Sequence, residues 1–385
     1  MIDLSDIVPQ MVSWRRQIHR HPETAYTEFK TAELVAKILI DAGLDVHQSI
    51  AITGVVGVLR AGSSSKSIAL RADMDALDIQ ELNTFDYRSQ VHGKMHACGH
   101  DGHTAMLLGA AVYLAEHKNF DGTIYFIFQP AEENSGGAKM MMDEGLFTRF
   151  PADAIYGMHN MPGLETGQFA ICSGPMMAAY ATFECQIKGK GTHSSMPETG
   201  INPITIANEI CIKWQSYLDN AFRPDDSVNL TVTKFNAGHE FNVIPDEANI
   251  AGSTRCFSKA INNSLSKDML AIAKAVCQSY NAQCNFIYNS VYPSLINTFA
   301  ETSFSVDVAK RLVGQENVNA NLNPINGSED FAFYLEEQKG AYILIGNSSD
   351  SYGGCMVHNP HYDFNDEIME LGACYWISLA QSYLV

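Results

Sequence analysis

The 385-residue chain contains no CxxC pair, no internal repeat and no low-complexity tract, and it is poor in positive charge. Lys and Arg total 25 against 43 Asp and Glu, a formal net charge of −18. A surface that acidic repels nucleic-acid backbones and anionic lipid, so neither nucleic acid nor a membrane is an expected partner. It also calls for a local cation wherever an anionic ligand is to be held. The nine cysteines, Cys98, Cys172, Cys185, Cys211, Cys256, Cys277, Cys284, Cys355 and Cys374, are odd in number and scattered. In a chain of this length they do not read as a disulfide framework, which points to a reducing compartment. The opening MIDLSDIVPQ has no basic start followed by an apolar core, so no secretory signal is expected. The longest uncharged helical run, TAMLLGAAVYLA, ends at Glu116 and is too short to cross a bilayer. The expected location is the cytoplasm.

What is present suits a globular protein: 46% of residues are hydrophobic and 10% aromatic, which argues against disorder. The length exceeds what one hydrophobic core usually supports, so two domains are expected. In the first part of the chain, strand and helix patterns alternate. TAELVAKILIDAG puts Val35, Ile38, Leu39 and Ala42 on one helical stripe and stops at Gly43. SIALRAD (67–73), GTIYFIFQP (122–130), AIYGMHN (154–160) and AYILIGN (341–347) read as buried strands, with a helix over about 102–117. Such alternation predicts an α/β sheet covered on both faces. From about residue 179 the texture changes. AYATFECQIKGK, VNLTVTKF, ANIAGSTRCF and CNFIYNSVY read as strands, INPITIANEICIKWQSYLDN and a stretch near 264–280 as helices. That β-α-β-β-α-β order predicts a smaller α+β domain at 179–293, inserted into an α/β domain formed by 1–178 and 294–385. The alternative is a single large α/β domain.

Chemistry-bearing residues concentrate in a few places. MHACGHDGHTA crowds His96, Cys98, His100 and His103 into eight positions. Asp73 and Asp75 close one predicted strand, Glu132 and Glu133 follow another, and His159 ends a third. In an open α/β sheet, ligands bind at the carboxyl ends of strands. Cys98 and His100 are two apart across Gly99, so a looped backbone can aim both side chains one way. Thiolate, imidazole and carboxylate together suit zinc or a similar transition metal, not calcium or magnesium. Other readings stay open at this stage: a redox thiol, or Cys98 as a small buried residue with His96 and His103 structural. Adjacent glutamates usually face solvent, yet Glu132 and Glu133 follow a strongly apolar strand. One as ligand and its neighbour as general base is a sensible division of work. His358 and His361 lie in the polar, aromatic segment CMVHNPHYDFND, where neither is needed for packing, although each alone would be structural more often than not. In GKGTHSSMP the glycines suggest a mobile loop around His193, with an ordinary surface histidine as the alternative.

Taken in order, RQIHRHPE, ALRADMDAL, MHACGHDGHTAMLLGAA, FQPAEE, GMHN, GKGTHSSMP, FNVIPDEANIAGSTR, GSEDFAFY and HNPHYDFND resemble the motifs of metal-dependent N-acyl-amino-acid amidohydrolases. This is the branch of the aminoacylase/carboxypeptidase peptidases that includes hippurate hydrolases and auxin-conjugate hydrolases. The resemblance runs from about residue 12 to 370, and nine motifs in one order are specific where any single one is not.

The resemblance implies a catalytic α/β domain with an inserted α+β lid domain, through which a homodimer would form. It implies two divalent metal ions per subunit, Zn, Mn, Co or Ni, held by Cys98, His100, Glu133, His159 and His358, with Cys98 as the bridge. Glu132 would be the general base toward the attacking water, and Asp73 a carboxylate that orients the site. His193 would stabilise the oxyanion of the tetrahedral intermediate. Asn242 and Arg255 would grip the substrate carboxylate, Arg255 being the local cation that the acidic surface calls for. The implied activity is hydrolysis of the amide bond of N-acyl-L-amino acids, hippurate-like or similar conjugates, to a carboxylic acid and a free amino acid. Within the class the alternatives are a small-dipeptide hydrolase and an N-acetyl-diaminopimelate-type deacetylase. Outside it stands a non-catalytic metal-binding protein on the same fold. Three departures bear on substrate preference and leave the metal residues untouched. Glu198 stands where the family usually has histidine, ALDIQE lacks the usual proline, and His361 is not a usual position.

Overall fold

The computed structural model describes residues 2–348 and 355–385. The chain divides into two compact units, one formed by Met1–Met176, Ile296–Asn323 and Asp330–Val385, the other by Met177–Leu295 and Pro324–Glu329. The fold is α/β with a smaller α+β unit.

The first unit is built on an eight-stranded sheet. Its first five strands are β1 (Asp45–Ile50), β2 (Gly54–Ala61), β3 (Ser67–Asp73), β4 (Gly122–Gln129) and β5 (Ala154–Met161). They are ordered β1-β2-β4-β3-β5, and the sheet continues through Gly340–Gly346, Phe169–Ala170 and Val318–Asn319. β4, β3, β5 and the 340–346 strand are parallel neighbours. Every residue of β3 and of the 340–346 strand is buried, which is why apolar side chains follow one another in both without alternation, until Arg71 and Asp73 end β3. Because the four run the same way, their carboxyl ends share one edge, where Asp73, Gln129, His159 and Asn160 emerge.

Three helices matter for that edge: α1 (Val8–Arg20), α2 (Phe29–Asp41) and α3 (His100–His117). α3 is buried on all sides along most of its length, as expected of a helix with no polar face. It crosses α1 so closely that a Cβ on Gly109 would lie 2.0 Å from the Met11 sulfur. The helix begins two residues before the predicted start, because Gly99 takes a left-handed φ of 95° and turns the chain directly into it.

In the second unit, strands Asn229–Ala237, Glu247–Cys256, Ala179–Lys188 and Gln283–Tyr292 form an antiparallel sheet in that spatial order. Helices Pro203–Ala221 and Lys259–Ser279 supply Ile206, Ile210, Trp214 and Met269 to a core shared with Phe183, Cys185, Ile187 and Ile250. The Trp214 indole N–H donates to the Met269 carbonyl at 3.0 Å, so the largest core side chain is also satisfied. The second helix starts five residues before the predicted 264. Among the described residues, no helix is long and apolar enough to cross a membrane.

Candidate active site

The first unit brings together every residue expected at the metal centre or beside it: Cys98, His100, Glu133, His159 and His358, with Glu132 and Asp73. Gly99 is the local cause. A Cβ there would meet Asn160 Oδ1 at 2.2 Å, so only glycine allows the turn to pass that close while Cys98 and His100 flank it. His100 is the first residue of α3, Cys98 lies just before it, and His159 is near the end of β5. Ala131 takes a left-handed φ of 55° after β4 and turns Glu132 and Glu133 into the site. His358, whose φ is 65°, arrives on a loop pinned by its own N–H to the Ala97 carbonyl at 2.7 Å.

The donors converge. Cys98 Sγ is 3.3 Å from His159 Nε2, and His358 Nε2 is 3.1 Å from Glu133 Oε1. Among the described residues five overlapping groups have donor atoms within 4.8 Å of one another, Asp73–His100–His103 and Glu132–Glu329–Asp330 among them, and three are built from the expected ligands and base: Cys98, His100 and His159; Cys98, Glu133 and His358; His100, Glu132 and Glu133. Cys98 belongs to the first two groups. Asp73, at the end of β3, accepts from His103 Nδ1 at 2.7 Å and from Arg71 at 2.7 Å, and its Oδ2 is 3.8 Å from His100 Nε2. His103 also lies 2.7 Å from Asn160 Oδ1, so it is a structural linker between strand ends. His96 is fully buried and contributes to none of the three groups.

Asp75 is the residue that sequence reasoning left without a role. Its Oδ1 is 3.2 Å and its carbonyl oxygen 2.9 Å from His100 Nδ1, and its Oδ2 accepts the Glu133 N–H at 2.9 Å. The carboxylate thus fixes one candidate ligand by its ring and the next by its backbone, leaving His100 Nε2 to face the cluster. The i, i+2 spacing from Asp73 was the available signal, but it does not say which carboxylate faces which histidine.

The charges of the cluster suit a cation. Burial pulls the His100 imidazole down, but Asp73, Asp75 and Glu133 outweigh it and hold the ring at about 10. Burial, then Glu133, Glu132 and Asp73, push the Cys98 thiol well above its ordinary range. His100 Nε2 is buried without a hydrogen-bond partner among the described residues, and Glu133 Oε1 makes no hydrogen bond there despite the approach of His358. A divalent cation fits this set. It would satisfy the orphaned atoms and offset the carboxylates, and it would make a thiolate of Cys98 acceptable.

His193, Asn242 and Arg255 belong to the second unit. Thr192–His193 pairs with Val243–Ile244, and the Ser194 N–H donates to the Asn242 carbonyl at 2.9 Å, so the glycine-rich segment is held in a short ladder. The Ser195 backbone N–H, which can only donate, reaches His193 Nδ1 at 3.1 Å. That nitrogen is therefore the acceptor, and in this geometry the ring carries its proton on Nε2. Arg255 donates to the Asn326 carbonyl at 2.6 Å and to Ser328 Oγ at 2.8 Å, and lies over the Tyr180 ring at 4.6 Å.

Residues 69–382 match the family described as peptidase family M20/M25/M40. The chain is 40% identical over 382 residues to a hippurate hydrolase of Campylobacter jejuni, covering 99% of this chain and 98% of that protein. It is 38% identical to IAA-amino acid hydrolase ILR1-like 4 of Arabidopsis thaliana, covering 99% and 87%. Among solved structures, a dinuclear metal binding peptidase of the M20 family from Bacillus subtilis superposes with a TM-score of 0.85 at 31% identity, covering 98% of this chain and 99% of that one. With its strand-end donor cluster and these full-length relatives, the chain belongs to peptidase family M20/M25/M40.

Proposed function

We propose that this chain is a metal-dependent amidohydrolase that cleaves N-acyl-L-amino acids, hippurate-like or similar conjugates, to a carboxylic acid and a free amino acid. The observation that carries the reading is the pair of donor groups sharing Cys98, with Glu132 beside them. Cys98, His100, Glu133, His159 and His358 would hold two divalent ions, zinc or manganese among the candidates, with Cys98 between them. Bound there, such ions acidify water and polarise a carbonyl.

The chain's own residues do the rest. Glu132, six per cent exposed, takes the proton of the attacking water and delivers it to the leaving nitrogen. Asp75 and Asp73 keep His100 and His103 oriented. His193, with its proton on Nε2, donates to the developing oxyanion. Asn242 and Arg255 bind the substrate carboxylate, and the second unit acts as a lid and as the surface of a homodimer. A cytoplasmic location agrees with nine unpaired cysteines.

The test is release of free amine from hippurate, N-acetyl-methionine and indole-acetyl-alanine, with a small dipeptide and N-acetyl-diaminopimelate in the same panel. Turnover should require Zn²⁺, Mn²⁺, Co²⁺ or Ni²⁺, vanish on dialysis against a chelator and return with metal. Full activity in rigorously metal-free protein would sink the metal reading. A preference for the dipeptide or the diaminopimelate conjugate would move the substrate class.

A further inference from the structure

The turn that carries Glu132 and Glu133 is fixed by three buried carboxylates from distant parts of the chain. Glu28 Oε1 accepts the Ala131 N–H at 3.0 Å, Asp75 Oδ2 the Glu133 N–H at 2.9 Å, and Asp330 Oδ2 the Ala138 N–H at 2.9 Å. Asp75 and Asp330 have further work, on His100 and Arg71 respectively. Glu28 does not. It is fully buried, its Oε1 also takes the Tyr26 N–H at 3.0 Å, and its Oε2 takes the Thr53 hydroxyl at 2.6 Å. None of these bonds reaches a proposed metal ligand.

A buried acid is costly to keep, since water solvates a carboxyl better than most of the interior does. Burial pushes this one up to about 7, against the Thr53 hydrogen bond. Its hydrogen bonds show where the group acts. Ala131 has a φ of 55°, a region an L-residue enters only when its surroundings force it. The forcing contacts are its N–H to Glu28 and its carbonyl, which accepts the Gly137 N–H at 2.9 Å. The next residue is Glu132. Because successive side chains leave the backbone in different directions, the conformation of Ala131 decides which of the two glutamates faces what.

We propose that Glu28 is a positioning residue for the Glu132–Glu133 pair, clamping Ala131 in the left-handed region so that base and ligand leave the turn correctly aimed. The assignment rests on the reading of Glu132 and Glu133 given above. The experiment compares Glu28→Gln, Glu28→Asp, Glu28→Ala and the double variant Glu28→Ala/Ala131→Gly, as metal-loaded full-length protein on the best substrate of the panel. Backbone hydrogen exchange over residues 128–138 is measured alongside.

Glu28→Gln keeps the Oε1 acceptor and should stay within about threefold of wild type. Glu28→Ala should lose about 10²-fold in kcat at similar KM, as expected of a misplaced catalytic group, and exchange faster over the turn. Glu28→Asp, whose carboxyl is one methylene short, should lose kcat likewise even if the alanine variant does not fold. Glycine at position 131 enters the left-handed region freely, so the double variant should recover part of the lost kcat. The proposal is overturned if Glu28→Ala and Glu28→Asp keep kcat within threefold. Faster exchange with unchanged kcat overturns it too, as does a loss that neither the conservative Glu28→Gln change nor Ala131→Gly relieves. If wild type itself releases no amine while the exchange pattern follows Glu28, the assigned activity fails and the clamp stands as backbone architecture.

Discussion

Replacing Asp75 by alanine removes two contacts of the proposed metal centre at once, the Oδ1 approach to His100 Nδ1 at 3.2 Å and the Oδ2 bond from the Glu133 N–H at 2.9 Å. Hydrogen bonds to a charged group contribute about 1.5–3 kcal/mol each. The two losses do not simply add, because the Asp75 carbonyl oxygen stays 2.9 Å from His100 Nδ1 and preserves that tautomer. The variant therefore loses roughly one charge-assisted bond, which corresponds to about 10–100-fold in metal affinity, the usual effect of removing a group that orients a ligand. Asp75→Asn keeps an amide oxygen for one of the two contacts and should fall between wild type and alanine. Competition against a chromophoric chelator reads the affinity, and circular dichroism shows that the fold survives. A folded Asp75→Ala protein binding metal within twofold of wild type would refute the reasoning. So would an asparagine variant that binds more weakly than alanine.

Glu132→Gln should retain metal and lose about 10²–10⁴-fold in rate, the worth of a general base, whereas Glu133→Gln should lose metal; metal analysis of both purified variants beside the amine assay reverses the assignment if the pattern is inverted. His19 is fully buried, and although burial pulls its imidazole down, Asp101 at 2.8 Å and Glu81 hold it up at about 9, above the ordinary 6.5. The folded protein therefore binds this proton more tightly than the unfolded chain, so the stabilisation is complete below pH 6.5 and is lost as pH rises to 9, on the order of 3 kcal/mol in total. Urea unfolding of wild type and His19→Asn across that window should show the difference shrinking as pH rises, and a constant difference would count against the pairing.

Much of the fold was legible because the sheet is covered on both faces. β3, β4, β5 and the 340–346 strand are mostly apolar and almost wholly buried, with polar residues gathered toward the carboxyl ends of the first three, and their bounds in the structure lie within a residue of the runs visible in the sequence. The β1–β2 hairpin was not read: β1 is mostly exposed and carries no apolar run, whereas β2, GVVGVLRA, is buried over its first six residues and offered a signal that went unused. Of the site, Cys98, His100, His159 and the glutamate pair drew attention by crowding in one segment or following strands, whereas His358 was marked as a ligand only by the family resemblance. Apart from Asp73, whose orienting role the resemblance implied, their supports did not, because support is a tertiary matter. Glu28 is 103 residues from Ala131, and Arg15 is 348 from Asp363, which it meets at 3.2 Å. Nothing local marks an acid at the start of α2 as the partner of a turn after β4.

Arg71 shows what these hidden charges contribute. It is fully buried within a chain of net charge −18, and its guanidinium reaches Gln129 Oε1 at 2.8 Å, Asp73 Oδ2 at 2.7 Å and Asp330 Oδ1 at 3.0 Å. Gln129 in turn donates to Asp330 at 2.9 Å. One side chain thus ties the carboxyl ends of β3 and β4 to the segment at 330, whose backbone N–H approaches Glu132 Oε1 at 3.4 Å. Such buried pairs are weak evidence for stability, since well-packed apolar residues often replace them at no cost. An apolar side chain could fill this volume, but it could not fix where two strand ends and a loop stand relative to one another, because dispersion contacts are not directional. The apolar sheet provides rigidity and the buried ions set the register of its edge. Asp73, Asp75 and Glu132 can therefore stay buried and close together, and the concentration of negative charge they make is one that a divalent cation would offset.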